Sequence, residues 1–157
     1  MYVCKPNNLP KWVKDLFLLN KPVPCTSIEV SNLENDLGMA LPIPYKEFLL
    51  YMGKGAGAIF RGSDCFYGNL RSIQVWAKQL LAENNFTEPL PNDAFVFFMH
   101  QGYQFSFFKL SDGDNLPIYS YCEGQQENYF VKTDESFGAF LGNELELLEK
   151  NRMAIAA

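Results

Sequence analysis

The stretch "VSNLENDLGMALPIPYKEFLLYMGKGAG", Val30 to Gly57, decides the fold. Val30, Leu33 and Leu37, and then Tyr45, Phe48, Leu49 and Met52, recur at helical spacing on either side of Gly38 and Leu41-Pro42. Thr26 and Glu29 offer a capping box to the first segment, and Pro44 suits the first turn of the second. A compact helical hairpin follows. The glycines after it suggest a phosphate cradle, but a cradle needs a strand before the glycines and a helix after them. Here a helix comes first, so its carbonyls and negative dipole end would face the anion. The GxxxxGK[ST] spacing is also absent. The glycines therefore read as punctuation: Gly53 as a left-handed helix cap, Gly55 and Gly57 as a tight backbone turn.

Working outward, "NNLPKWVKDLFLLN" reads as a short N-terminal helix and "KPVPC" as an extended connector. A third helix is predicted from Ser72 through "IQVWAKQLLAENN", turning Ile73, Trp76 and Leu80 inward. The period then changes. "AFVFFMHQGYQFSFFKL" gives a continuous apolar strand, Phe95 to Met99, and an alternating one with Tyr103, Phe105 and Phe107 on one side, which predicts one face in solvent. "LPIYSYC" and "YFVK" add two strands, separated by the turns "SDGDN" and "EGQQEN". A last helix is capped by Thr133 or Asp134 and buries Phe137, Phe140, Leu141, Leu145 and Leu148. Helices segregated from strands predict an α+β fold, one domain with helices packed on a mostly antiparallel β-sheet. The expected division is an N-terminal helix and connector over 1–25, the domain over 26–150 and a tail over 151–157.

With 157 residues, 48% hydrophobic, 14 Phe and 8 Tyr, the chain can fold around one core without staples. Four cysteines lie far apart with no CxxC pair and a single histidine, which argues against zinc. "DLFLLN" is too short to span a bilayer, and no signal peptide is read, so a cytoplasmic location with reduced thiols is the expectation. Net charge is unevenly placed. Residues 111–149 hold nine carboxylates against Lys132 alone, a net of −8, so the remainder carries +3 of the total of −5. That field repels nucleic acid and attracts basic partners. Surface acids also solubilise a protein with no partner at all.

No catalytic set emerges. His100 sits in the predicted turn "MHQGY" and reads as a partly exposed turn residue. Cys65 and Cys122 lack a local base and read as inert thiols. "DGDN" lacks the mid-loop glycine and closing glutamate of a calcium loop. The aromatics are not interleaved with Lys and Arg as a single-strand stacking platform requires, so core packing accounts for them. No catalytic, cofactor or metal residue is assigned, and function is expected in a surface. Its partner-binding residues are expected to be the turn acids Asp112, Asp114, Glu123 and Glu127, with Tyr67 or Tyr103 as aromatic anchors.

The order of these motifs resembles the Smi/Knr-like, or SUKH, superfamily. Leu37, Gly38, Leu41, Pro42, Tyr45, Phe48, Gly55 and Gly57, with Val30, Leu33, Glu34 and Leu49, are similar to its helix, Leu-Gly, Leu-Pro, Tyr-Lys-x-Phe-Leu and glycine-pair pattern. Pro117, Tyr119, Ser136, Phe137, Phe140 and Leu141 match its later elements, so that the likeness spans about Thr26 to Leu141. Ala56 interrupts the glycine pair, and Gly53-Lys54 precede it. The resemblance implies an α+β domain with no cofactor and no enzymatic activity. It also implies an immunity protein that neutralises a cognate toxin, often a nuclease, by stoichiometric binding, and the acidic C-terminal stretch fits a basic toxin domain as the partner. The rivals are a regulatory scaffold with an endogenous partner, and a small hydrolase or nucleotide-binding enzyme using Cys65 or His100 and the glycine segment.

Overall fold

The computed structural model describes residues 21–156, with side chains to residue 151. The expected N-terminal helix lies outside the described residues. Within them the chain runs α1 (Ser27–Leu37), α2 (Ile43–Met52), β1 (Ser63–Asp64), a 3-10 turn (Tyr67–Asn69) and α3 (Leu70–Glu83). It continues as β2 (Ala94–His100), β3 (Gln104–Lys109), a second 3-10 turn (Leu110–Asp112), β4 (Ile118–Cys122), β5 (Val131–Asp134) and α4 (Phe137–Ala156). The five strands make one antiparallel sheet in sequential order, and helices pack against it: an α+β fold.

The first hairpin forms for the expected reasons. Thr26 Oγ1 accepts from the Glu29 N–H at 3.2 Å while Glu29 Oε1 accepts from the Thr26 N–H at 3.1 Å, a complete capping box, and Gly38 ends α1 at φ 65°. Lys54 reaches back to Glu29 at 2.8 Å and holds that carboxyl below its ordinary range. Gly53 departs from expectation: its φ is −62°, a right-handed conformation. It is glycine because space is short, since an added Cβ would stand 2.5 Å from both Cys25 Sγ and the Leu49 carbonyl oxygen. The left-handed turn falls at Gly57, φ 60°.

Tyr45 is the hub of the core, with no exposed surface. Its ring meets Phe48, Phe95, Phe97, Phe108 and Phe137 at centroid separations of 5.1–6.3 Å, so α2, the sheet and α4 share one aromatic cluster. A second cluster, Phe86, Phe105, Phe107, Tyr121 and Phe130, fills the other face of the sheet. Both faces of β3 are therefore covered, and Phe105, Ser106, Phe107 and Phe108 are all buried. The expected solvent face is absent there because Ser106 is an interior residue: its hydroxyl pairs with that of Ser120 at 2.7 Å.

Other boundaries shift for local reasons. Helix α3 starts at Leu70, preceded by the 3-10 turn, and buries Leu70, Ile73, Ala77, Leu80 and Leu81; Trp76, expected inside, is 42% exposed. The fourth predicted strand forms at Val131–Asp134, two residues later than "YFVK", because Phe130 is drawn into the second aromatic cluster. Thr133 and Asp134 belong to that strand, so α4 is capped instead by Ser136, whose Oγ accepts from the Ala139 N–H at 3.1 Å. Helix α4 then continues to Ala156, through residues expected to form a tail.

Candidate partner-binding surface

The sheet has two ends, and they treat their acids differently. The meander places the β2–β3 and β4–β5 connections at one end and the β3–β4 connection at the other, about 17–20 Å away for strands of this length. Tyr103, Glu123 and Glu127 gather at the first end; Asp112 and Asp114 lie at the second. The expected acidic residues thus form two groups.

At the second end the acids serve the fold. Helix α2 begins at Pro42 with no side-chain cap of its own, and Asp114 supplies one from 71 positions downstream, its Oδ1 accepting from the Ile43 N–H at 3.3 Å. Asp93 Oδ2 accepts from the Ser111 N–H at 2.9 Å, and hydrogen bonding to Ser111 holds the Asp93 carboxyl low. Asp112 differs from these two: it is half-buried, and its Oδ2 has no hydrogen-bond partner among the described residues.

At the first end, backbone contacts hold the side chains outward. Gln101 and Gly102 are left-handed, with φ 47° and 77°, and the Tyr103 N–H closes the turn on the His100 carbonyl at 3.2 Å. Tyr103 is therefore a turn residue and not the first inward position of β3; 39% of it is exposed, and its ring stands edge-on to His100 at 5.6 Å. The Glu123 N–H donates to the Tyr103 carbonyl at 2.8 Å, joining the two connections. Gln125 organises the next loop: its Oε1 accepts from the Cys122 N–H, and its Nε2 donates to the carbonyls of Glu127 and Tyr129. Glu127 and Tyr129 are left exposed on a pinned loop.

Beside this end runs a groove of about 310 Å³ between α3 and the β2–β3 turn. It is lined by Asp64, Trp76, Gln79, Glu83, Met99 and Gln101, among others, with no basic side chain. Trp76 and Glu83 share its helical wall because seven residues are two turns of α3. Asp64 Oδ1 accepts from Asn69 Nδ2 at 3.0 Å, which fixes the opposite wall. Sequence periodicity missed Trp76 by counting it with Ile73 and Leu80. Including Ala77 and Leu81 moves the centre of the apolar stripe away from it and leaves it on the border.

Tyr67 is elsewhere. The Arg71 guanidinium lies 5.0 Å from its ring centroid and also pairs with Asp36 at 2.7 Å, so Tyr67 belongs to a brace between α1 and α3.

The residues weighed for catalysis have other attachments. His100 ends β2, its Nδ1 2.9 Å from Ser63 Oγ. Among the described residues no carboxylate hydrogen-bonds its other ring nitrogen, the contact that orients a catalytic imidazole. Burial pushes the Cys25 thiol up to about 11 and raises Cys65 further, so neither is a thiolate at neutral pH. Among the described residues no three His, Cys, Asp or Glu side chains gather in a way that could hold a metal ion. No described helix is long and apolar enough to cross a membrane.

The family model described as SMI1 / KNR4 family (SUKH-1) matches residues 24–143, a span from the connector before α1 into the first turns of α4. No curated protein is significantly similar to the chain.

Proposed function

Because the chain belongs to the SMI1 / KNR4 family (SUKH-1), a family that includes immunity proteins, we propose that it is a non-enzymatic binding protein that neutralises a cognate toxin by stoichiometric association in the cytoplasm. The observation that carries this reading is the first end of the sheet. Tyr103, Tyr129, Glu123 and Glu127 are presented there on loops held by backbone hydrogen bonds, next to a groove with an exposed tryptophan. Exposed aromatics supply large contact area at low entropic cost, and the surrounding acids steer a basic partner. A toxin that acts on nucleic acid needs a basic active site, and an acidic surface is complementary to one. Glu123 and Glu127 remain the proposed acidic contacts, with Tyr103 as an anchor; Asp112, Asp114 and Tyr67 are proposed as secondary contacts, since the fold already uses their side chains or surroundings.

Co-expression tests the reading. A toxin domain should be encoded beside this gene, cells producing it should survive when the chain is co-produced, and the two proteins should co-purify at one-to-one stoichiometry. Toxicity that persists with the chain present at equal level would overturn it, and capture of an endogenous partner without rescue would identify a regulatory scaffold.

A further inference from the structure

We propose that the groove between α3 and the β2–β3 turn is a receptor for an arginine side chain carried on a basic segment of the protein partner; this rests on the binding reading above and names the chemistry it recognises. Three observations converge. The groove is concave, about 310 Å³, large enough for a long side chain. One wall presents Trp76, 42% exposed, a large aromatic ring beside the acids. Carboxylates stand on both sides, Glu83 on the helical wall and Asp64 on the strand wall, and the lining holds no cation to neutralise them. Among the described residues Glu83 makes no ion pair, while every other exposed cation–carboxylate contact of the fold, at Lys46, Lys54, Arg71 and Lys132, lies away from this groove.

The chemistry selects arginine over lysine. A planar guanidinium stacks on the indole face and still directs N–H donors sideways to two carboxylates, whereas an ammonium is a compact, strongly hydrated point charge with no flat face. Gln79 and Gln101 add neutral hydrogen-bonding groups at the rim. The groove adjoins the proposed anchor, since Gln101 and Gly102 line it and Tyr103 follows directly in the same turn. A single basic segment can therefore place one arginine in the groove while its flanks meet Tyr103 and Glu123.

Titration of the full chain with short peptides tests this without any toxin. In a Trp12→Phe background Trp76 is the only tryptophan, so its fluorescence, or its indole N–H resonance, reports the groove alone. A glycine peptide with blocked termini and two arginines as its only charges should give a saturable change, and the same peptide with lysines should bind at least about threefold more weakly. Glu83→Gln with Asp64→Asn should weaken the arginine peptide about tenfold or more while leaving the melting temperature within a few degrees. Equal affinity for the two peptides, no saturable change, or undiminished binding by the doubly neutralised variant would overturn the proposal. Because no toxin is used, a failed titration leaves the rescue test untouched, and a failed rescue leaves the titration untouched.

Discussion

Tyr45 and Trp76 are both aromatics counted with the apolar stripe of a helix, and the fold treats them in opposite ways. Tyr45 has no exposed surface and touches five phenylalanine rings, while Trp76 keeps 42% of its surface exposed at the edge of an acidic groove. The contrast separates what holds the fold from what is left for a partner. Around Tyr45 the polar atom is the anomaly: its hydroxyl is buried with no hydrogen-bond partner among the described residues, and burial raises its pKa well above the ordinary tyrosine value. Around Trp76 the apolar ring is the anomaly, set among carboxylates and amides.

Breaking the core side of the comparison should have the largest effect. Tyr45→Ala removes the hub of the cluster and should cost about 3–5 kcal/mol in denaturant unfolding, as large-to-small core changes do. Tyr45→Phe sharpens the same point in the other direction. It deletes an unpaired buried hydroxyl and keeps the ring, so it should stabilise by roughly 1 kcal/mol. Asp114→Ala removes the remote cap of α2 and should cost about 1 kcal/mol, near the ordinary value for a helix cap.

A pH series extends the comparison to α4. Burial and the nearby Asp134 raise the Glu144 carboxyl above its ordinary value. A raised carboxyl binds its proton more tightly in the folded state, so the folded state is penalised as pH rises past the ordinary glutamate value. Glu144→Gln should therefore match wild type near pH 3.5 and become the more stable of the two by pH 7, by less than the effect of the Asp114 cap. The smallest stability effect is expected at Trp76: Trp76→Ala should change unfolding free energy by about 0.5 kcal/mol or less, since an exposed side chain leaves little cavity.

Much of the fold was legible because local chemistry and tertiary packing agree over Thr26–Met52, where cap, stripe and glycine stop all indicate the same helices. The meander was legible for the same reason. Misreadings fell where a tertiary contact overrode a local signal. Gly53 is glycine because Cys25 and Leu49 crowd it, and no sequence pattern reports a neighbour 28 positions away. Phe130 left its strand for a second aromatic cluster, and Thr133 and Asp134 could not cap α4 because β5 had claimed them. The two-residue strand β1 pairs with Met99 and His100 and is too short to show any period.

The surface was legible only as charge. Sequence shows that acids concentrate toward the C-terminal half, but it does not show which of them hydrogen-bond to the fold. Asp114 and Glu123 occupy similar hairpin turns, yet the side chain of the first caps a helix and that of the second stands in solvent. Trp76 was hidden for a related reason: a stripe's border residue looks like its interior until the opposing element is in place.

The most direct measurement compares protection by wild type and by Trp76→Ala in cells producing the toxin domain that the proposal expects beside the gene, at matched protein level and matched melting temperature. A folded surface that binds through this end predicts that wild type rescues and that Trp76→Ala loses at least about tenfold in toxin affinity, the range of an aromatic hot spot. Full rescue by Trp76→Ala with unchanged affinity would contradict it.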